Sequence, residues 1–188
     1  MTLFEYISVA SSIILALALS RVLNGLRSTF LPDRRYLPHA TWLVAKLINV
    51  IIYWWWLWGY HEVESYWNIF SFILILSIIS VFYLQVDSLV GNHPSEVYDW
   101  RERFYRERRW FFGLNASAAV MVFTIFSGVL HDEGSNIVGL IWMVIALVYS
   151  ALGFFSKNPN LQAVIAGIEL LAGVAFLATI FNAPTLGY

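Results

Sequence analysis

In 188 residues the chain carries 12% charged side chains and 60% hydrophobic ones, with a formal net charge of −1 and no cysteine. That charged share is too small to cover a soluble core of this size, and the lack of thiols excludes disulfides, thiol catalysis and thiolate metal sites. Continuous apolar runs such as Ile13 to Leu19 exclude a transmembrane β-barrel, whose strands alternate, and leave helices, which satisfy their own backbone groups in lipid.

A bilayer core about 30 Å thick takes roughly 20 apolar residues per helix. Six such stretches fit, at about 3–26, 40–60, 66–90, 110–130, 137–155 and 161–181. The expected fold is an all-α membrane protein of one domain, 1–188: a bundle of six transmembrane helices with an amphipathic interfacial helix between spans three and four.

The first span is not a cleavable leader, because Glu5 and the absence of any preceding Lys or Arg oppose a positive n-region. Ser8, Ser12, Ala16, Ser20 and Asn24 recur every four residues on one face. Such a stripe suits close helix packing, or a narrow wet path if copies meet around an axis. Arg27, Arg34 and Arg35 follow in the first connection. The second span ends in Tyr53-Trp54-Trp55-Trp56-Leu57-Trp58-Gly59-Tyr60, and Trp67 begins the third, an outer aromatic belt. Trp42, Trp100 and Trp110 belong by position to the inner edge. The intervening connection, with His61, Glu62 and Glu64, is acidic and has no Lys or Arg.

Between spans three and four, His93-Pro94 halts the helix, Ser95 can N-cap the next one, and Glu96 and Asp99 suit its first turn. Asp99/Arg103 and Glu102/Arg106 are four apart with the acid first. Val97, Trp100 and Phe104 form an apolar stripe for the membrane surface. Arg101, Arg103, Arg106, Arg108 and Arg109 then make an inner basic helix that faces anionic lipid or docks a cytoplasmic partner. The run can also continue straight into the fourth span. His131, Asp132 and Glu133 lie in the next connection, and Lys157 in the last. Since the odd connections hold every loop Lys and Arg, they are cytoplasmic by the positive-inside rule and both termini are outside.

Glu169 stands out among the spans. It lies about 12 Å past the inner edge at 1.5 Å per residue, and a charge that deep faces the bundle interior and needs a partner. Lys46 and Arg21 fall at comparable depth, with Asn49 and Asn24 one turn away, forming an intramembrane polar cluster in the cytoplasmic half. Long stems also let Arg21 and Lys46 reach the inner headgroups. Asn115 and Asn182 can serve as helix glue. In the outer loops, His61, Glu62, Glu64, His131, Asp132 and Glu133 are weak candidates for a divalent cation, though their spacing matches no established metal motif. There is no His-Glu-x-x-His, Gly-x-Ser-x-Gly or Walker-type loop, so no catalytic residue, cofactor or nucleic-acid partner is expected.

The opening Phe4-Glu5-Tyr6 before a Ser-bearing apolar helix, the Trp-rich second span and the run Arg106-Glu107-Arg108-Arg109-Trp110-Phe111-Phe112-Gly113 resemble a family of small, uncharacterised bacterial multi-pass integral membrane proteins. The resemblance implies a bacterial inner-membrane location and carries no activity. Together these features point to a channel or small transporter component, homo-oligomeric, built around the Glu169, Lys46 and Arg21 set. The alternative is a non-transporting scaffold or sensor that recruits a cytoplasmic partner through the Arg-rich inner helix.

Overall fold

The computed structural model of the chain describes residues 3–30, 35–59, 68–91, 94, 97–128 and 133–182. Among them six α-helices follow in order: α1 (Leu3–Thr29), α2 (Leu37–Gly59), α3 (Ile69–Val90), α4 (Trp100–Gly128), α5 (Glu133–Phe155) and α6 (Pro159–Asn182). Their ends follow from local chemistry. Asn68 caps α3 by accepting from the Ser71 N–H at 3.0 Å, and Gly91 ends that helix at φ 72°, a left-handed conformation that favours glycine. Pro159 sits at the first position of α6, where its missing N–H is no loss, and the Asn158 carboxamide accepts from the Asn160 N–H at 2.9 Å.

One boundary departs from expectation. The Arg-rich segment is not a separate interfacial helix but the first three turns of α4, which runs unbroken into the apolar stretch. Asp99 is its cap, accepting from the N–H groups of Arg101 and Glu102 at 2.7 and 3.2 Å; Ser95, the expected cap, lies outside the described residues. Asp99 is thereby committed to backbone, and Arg103 turns elsewhere.

α1 packs on α2 and α3, α3 on α4, α4 on α5, and α2 on α6, while α5 and α6 touch each other only slightly. The core lies where α1 to α4 and α6 face inward, through Ile7, Leu15, Val22, Leu43, Ile75, Phe82, Phe111, Phe112 and Ile165. α5 stays peripheral, with Ile141, Trp142, Val144, Val148 and Leu152 exposed. Among the described residues four helices are long and apolar enough to cross a membrane, within α1, α2, α3 and α6, and a shorter apolar stretch covers Gly139–Phe155 of α5. Large apolar side chains cover the outside of these helices, the surface of a membrane protein.

Two expectations about surfaces are corrected. Trp54, Trp55 and Trp58 are exposed, but of the three inner-edge tryptophans only Trp110 is; Trp42 and Trp100 are fully buried. The rings are consumed by packing, Trp100 stacking on His39 at 4.5 Å and Trp42 meeting Phe111 edge-on at 4.8 Å. The small-residue stripe of α1 is also left exposed at Ala16, Ser20 and Asn24, because Ile7, Leu15, Ala18, Val22 and Gly25 take the inward face.

At one end of the bundle the C-terminal turn of α3 gathers its neighbours. The Leu89 carbonyl accepts from His39 Nε2 at 3.1 Å and Arg103 Nε at 3.3 Å. Arg21 of α1 donates to the Gly91 carbonyl at 2.7 Å. Carbonyls orphaned at a helix end are thus satisfied by basic side chains from three other helices. The Tyr36 and Tyr105 hydroxyls meet at 3.0 Å beside them, and burial raises the Tyr36 pKa above its usual range.

Packing is tight where α4 and α5 cross: a Cβ on Gly153 would run into the Phe112 ring. Gly153→Ala is expected to cost about 1–3 kcal/mol through overpacking, read by thermal unfolding in detergent. The loss should shrink in a Phe112→Leu background, and an unchanged loss there would refute the contact.

Candidate functional site

The inward face of α2 carries His39, Trp42, Lys46 and Asn49 at helical spacing, and this places an ammonium in the middle of the bundle. Lys46 is 2% exposed. Its Nζ donates to Gln85 Oε1 of α3 at 2.7 Å and to Asn115 Oδ1 of α4 at 3.4 Å, and it lies 3.8 Å from Glu169 Oε1 of α6. Two of the three ammonium donors thus meet amide oxygens, and the carboxylate supplies the opposite charge. The Trp42, Phe82 and Phe111 rings surround the same nitrogen at 5.6, 5.9 and 5.4 Å, adding cation–π attraction in a dry setting.

The carboxylate of Glu169 is the meeting point of the network. Asn49 Nδ2 donates to Oε1 at 3.0 Å and the Tyr149 hydroxyl of α5 to Oε2 at 2.8 Å. Tyr149 in turn accepts from Asn115 Nδ2 at 3.0 Å. Following the donors, Lys46 leads to Asn115, Asn115 to Tyr149 and Tyr149 to Glu169, whose other oxygen faces Lys46 again. The circuit closes through α2, α4, α5 and α6. Ser150 accepts a second bond from Asn115 at 3.0 Å, and Gln85 Nε2 reaches the Leu114 carbonyl at 3.3 Å. The Glu169 carboxylate accepts the Asn49 and Tyr149 hydrogen bonds, one on each oxygen. Glu169 remains 16% exposed on its side chain, while Lys46 is sealed.

Of the polar cluster expected from the sequence, the fold brings together Glu169, Lys46 and Asn49. Arg21 pairs instead with Asp87 at 3.1 Å, both partly exposed, and with Asn24 it lines a separate cleft of about 260 Å³ between α1 and α3. Gln85, Tyr149 and Ser150 were missed. Their only signal is a neutral polar side chain inside an apolar span, weaker than a charge.

The inner basic helix divides as well. Arg101, Arg106 and Arg109 are exposed, with Arg106 beside Glu107 at 3.4 Å and Arg109 over the Phe154 ring at 5.8 Å. Arg103, expected at the headgroups, is half-buried against the end of α3, and desolvation lowers its pKa. Arg108 is buried at 3% exposure. Among the described residues no group of three His, Asp or Glu side chains could hold a metal. His61, Glu62, Glu64, His131 and Asp132 lie outside those residues, as does the Glu133 side chain.

No family model, curated protein or solved structure matches the chain.

The circuit makes Lys46 and Glu169 interdependent. Glu169→Gln alone, or Lys46→Met alone, should destabilise the protein by about 1–3 kcal/mol, since each strands a buried polar partner. The double variant should recover on the order of 1 kcal/mol of the summed loss. Additive single effects in thermal unfolding would show that the two groups do not act as a pair.

Proposed function

We propose that the chain is a subunit of a small ion channel or transporter of a bacterial cytoplasmic membrane, crossing it six times with both termini outside and acting as a homo-oligomer. The circuit around Glu169 carries this reading. Two hydrogen-bond donors, Asn49 of α2 and Tyr149 of α5, converge on the carboxylate beside the Lys46 ammonium, so a proton or cation arriving there competes with these contacts. A site whose occupancy rearranges contacts among helices couples ion binding to conformation, and an ionisable group at this depth is a functional candidate in its own right. α4 and α5 complete the six spans through their apolar stretches, with the described Lys and Arg residues, Lys46 apart, set toward one end. The outward Ala16, Ser20 and Asn24 of α1 offer a surface on which a second copy can pack closely.

Proteoliposomes containing only this protein should pass protons or small ions under an imposed pH or voltage gradient. Glu169→Gln should reduce the flux at least tenfold, with the helical content retained. Topology has its own check: cysteines at Glu64 and Glu133 should react with an impermeant reagent from outside intact cells, and cysteines at Arg35 and Arg101 should not. Inverted labelling would overturn the orientation.

A second reading has one observation in its favour. Tyr98, Arg101, Arg106 and Arg109 project outward from the start of α4, a surface suited to an acidic partner protein in a scaffold or sensor. Silent proteoliposomes, together with a co-purifying partner lost on Arg101→Gln/Arg106→Gln, would favour it over transport.

A further inference from the structure

The cleft of about 260 Å³ between α1 and α3 is walled by Leu17, Ser20, Arg21, Asn24, Tyr83 and Val90. Its walls follow from spacing: Ser20, Arg21 and Asn24 come three, four and seven residues after Leu17, and Val90 seven after Tyr83, so each set shares a helix face. Tyr6 stacks on Phe72 at 6.1 Å near the starts of the two helices, and Arg21 reaches Gly91 near their ends. α1 and α3 therefore run parallel, and the cleft lies where α3 stops.

Arg21 is fixed in this wall. Its Nη1 donates to the Gly91 carbonyl at 2.7 Å and lies 3.1 Å from Asp87 Oδ1. The Arg21 and Asp87 side chains are 27% and 34% exposed, so the pair is open to a ligand, whereas Lys46 is sealed. The guanidinium is thus positioned while the pair as a whole is neutral. The Ser20 hydroxyl, the Asn24 carboxamide and the Tyr83 phenol share the cleft with it, and each carries an N–H or O–H. Away from the basic end the surface turns apolar. Leu17, Ile13 and Val9, four apart along α1, are 54%, 59% and 55% exposed.

We propose that this cleft seats the headgroup of a membrane phospholipid, its phosphodiester against Arg21, Ser20 and Asn24 and its acyl chains along Leu17, Ile13 and Val9. A guanidinium is the side chain best matched to phosphate oxygens, and hydroxyl and carboxamide donors complete the set. The volume falls below the roughly 300–1,000 Å³ of a pocket that encloses a whole drug-sized ligand. A headgroup fits inside, and the rest of the molecule lies outside on the apolar strip. An aqueous anion would gain nothing from that strip and would meet the Asp87 charge. A second copy packed over Ser20 and Asn24 is the competing occupant. The site is separate from the Glu169 circuit, so it stands whether or not the chain transports ions.

The test titrates the whole protein in dodecyl maltoside, a detergent without phosphate, with dioleoylphosphatidylethanolamine, dioleoylglycerol or sodium phosphate. Native mass spectrometry counts bound lipid and copies of the chain, and thermal unfolding reads the stabilisation. Phosphatidylethanolamine has no net charge, so its binding is not the general attraction of anionic lipid to a basic surface. The wild type should hold one phosphatidylethanolamine per chain and its Tm should rise by about 3 °C or more, with no rise from dioleoylglycerol or phosphate. Asn24→Leu, at an exposed position, and Arg21→Lys, which keeps the charge beside Asp87 and loses the fork, should each weaken lipid binding about tenfold. If one variant fails to fold, the other decides. No adduct in the wild type, an equal rise with dioleoylglycerol, a rise with phosphate alone, or binding undiminished in the folded variants would overturn the proposal. So would a dimer that forms without lipid, excludes the adduct and is lost in Asn24→Leu, because a second copy would then occupy the cleft.

Discussion

The ammonium of Lys46 is the constraint around which the bundle is arranged. Placed in the middle of an apolar helix and 2% exposed, it has no water to turn to, and each of its donors must be met by protein. The hydrogen-bond acceptors come from α3 and α4 and the opposite charge from α6, so meeting them sets how far each helix is rotated and slid along its axis. Apolar packing alone tolerates many such settings, because one aliphatic ridge fits a groove about as well as the next. Polar groups accept few, and Gln85 and Asn115 are useful only at the depth of Lys46.

A second polar cluster does comparable work at the basic end. α3 stops at Gly91, and its last carbonyls are collected by Arg21, His39 and Arg103. A Cβ on Gly91 would intrude on the Arg103 guanidinium, so the left-handed glycine serves both the turn and the approach of α4. α1, α2 and α4 are thereby tied to one helix end, while Lys46 joins α2, α3, α4 and α6 several turns away. Two separated polar anchors resist both sliding and tilting, which a single one cannot do.

The sequence shows where the helices are far better than what they touch. Long apolar runs broken by short polar connections place five of the six within a few residues, because lipid permits little else; α4 begins ten residues before its apolar run. Glu169, Lys46 and Asn49 could be grouped by depth, since charge inside a span is conspicuous. Arg21 has the right depth and the wrong azimuth: it looks to Asp87, one turn before the end of α3. Gln85 and Tyr149 were hidden because a neutral polar side chain in a span is compatible with many surroundings. The Arg-rich segment misled for a different reason. Its stripe of Trp100 and Phe104 does mark a buried face, but that face meets protein rather than the membrane surface. Arg108 lies four residues beyond Phe104, so the same periodicity that buries the aromatics carries an arginine inside with them.

The seam between α5 and α6 shows where polar contacts outweigh apolar ones. The two helices hardly pack against each other, and they are joined at two places. Near their connection Gln162 Nε2 donates to the Gly153 and Ser156 carbonyls at 3.0 and 2.9 Å, capping α5 from α6. Further along, the seam is bridged by the Tyr149 hydroxyl on Glu169 at 2.8 Å. The first contact is between neutral groups and keeps its partners at any ordinary pH. The second joins a phenol hydroxyl to a carboxyl oxygen. With α5 held by α4 and α6 by α2, Gln162 ties the connected ends and the Tyr149–Glu169 bond ties the two helices further along. Elsewhere in the bundle large apolar contacts would mask the loss of one hydrogen bond. At this seam apolar contact is slight, so the Tyr149–Glu169 bond carries a larger share of the contact than one hydrogen bond does elsewhere in the bundle.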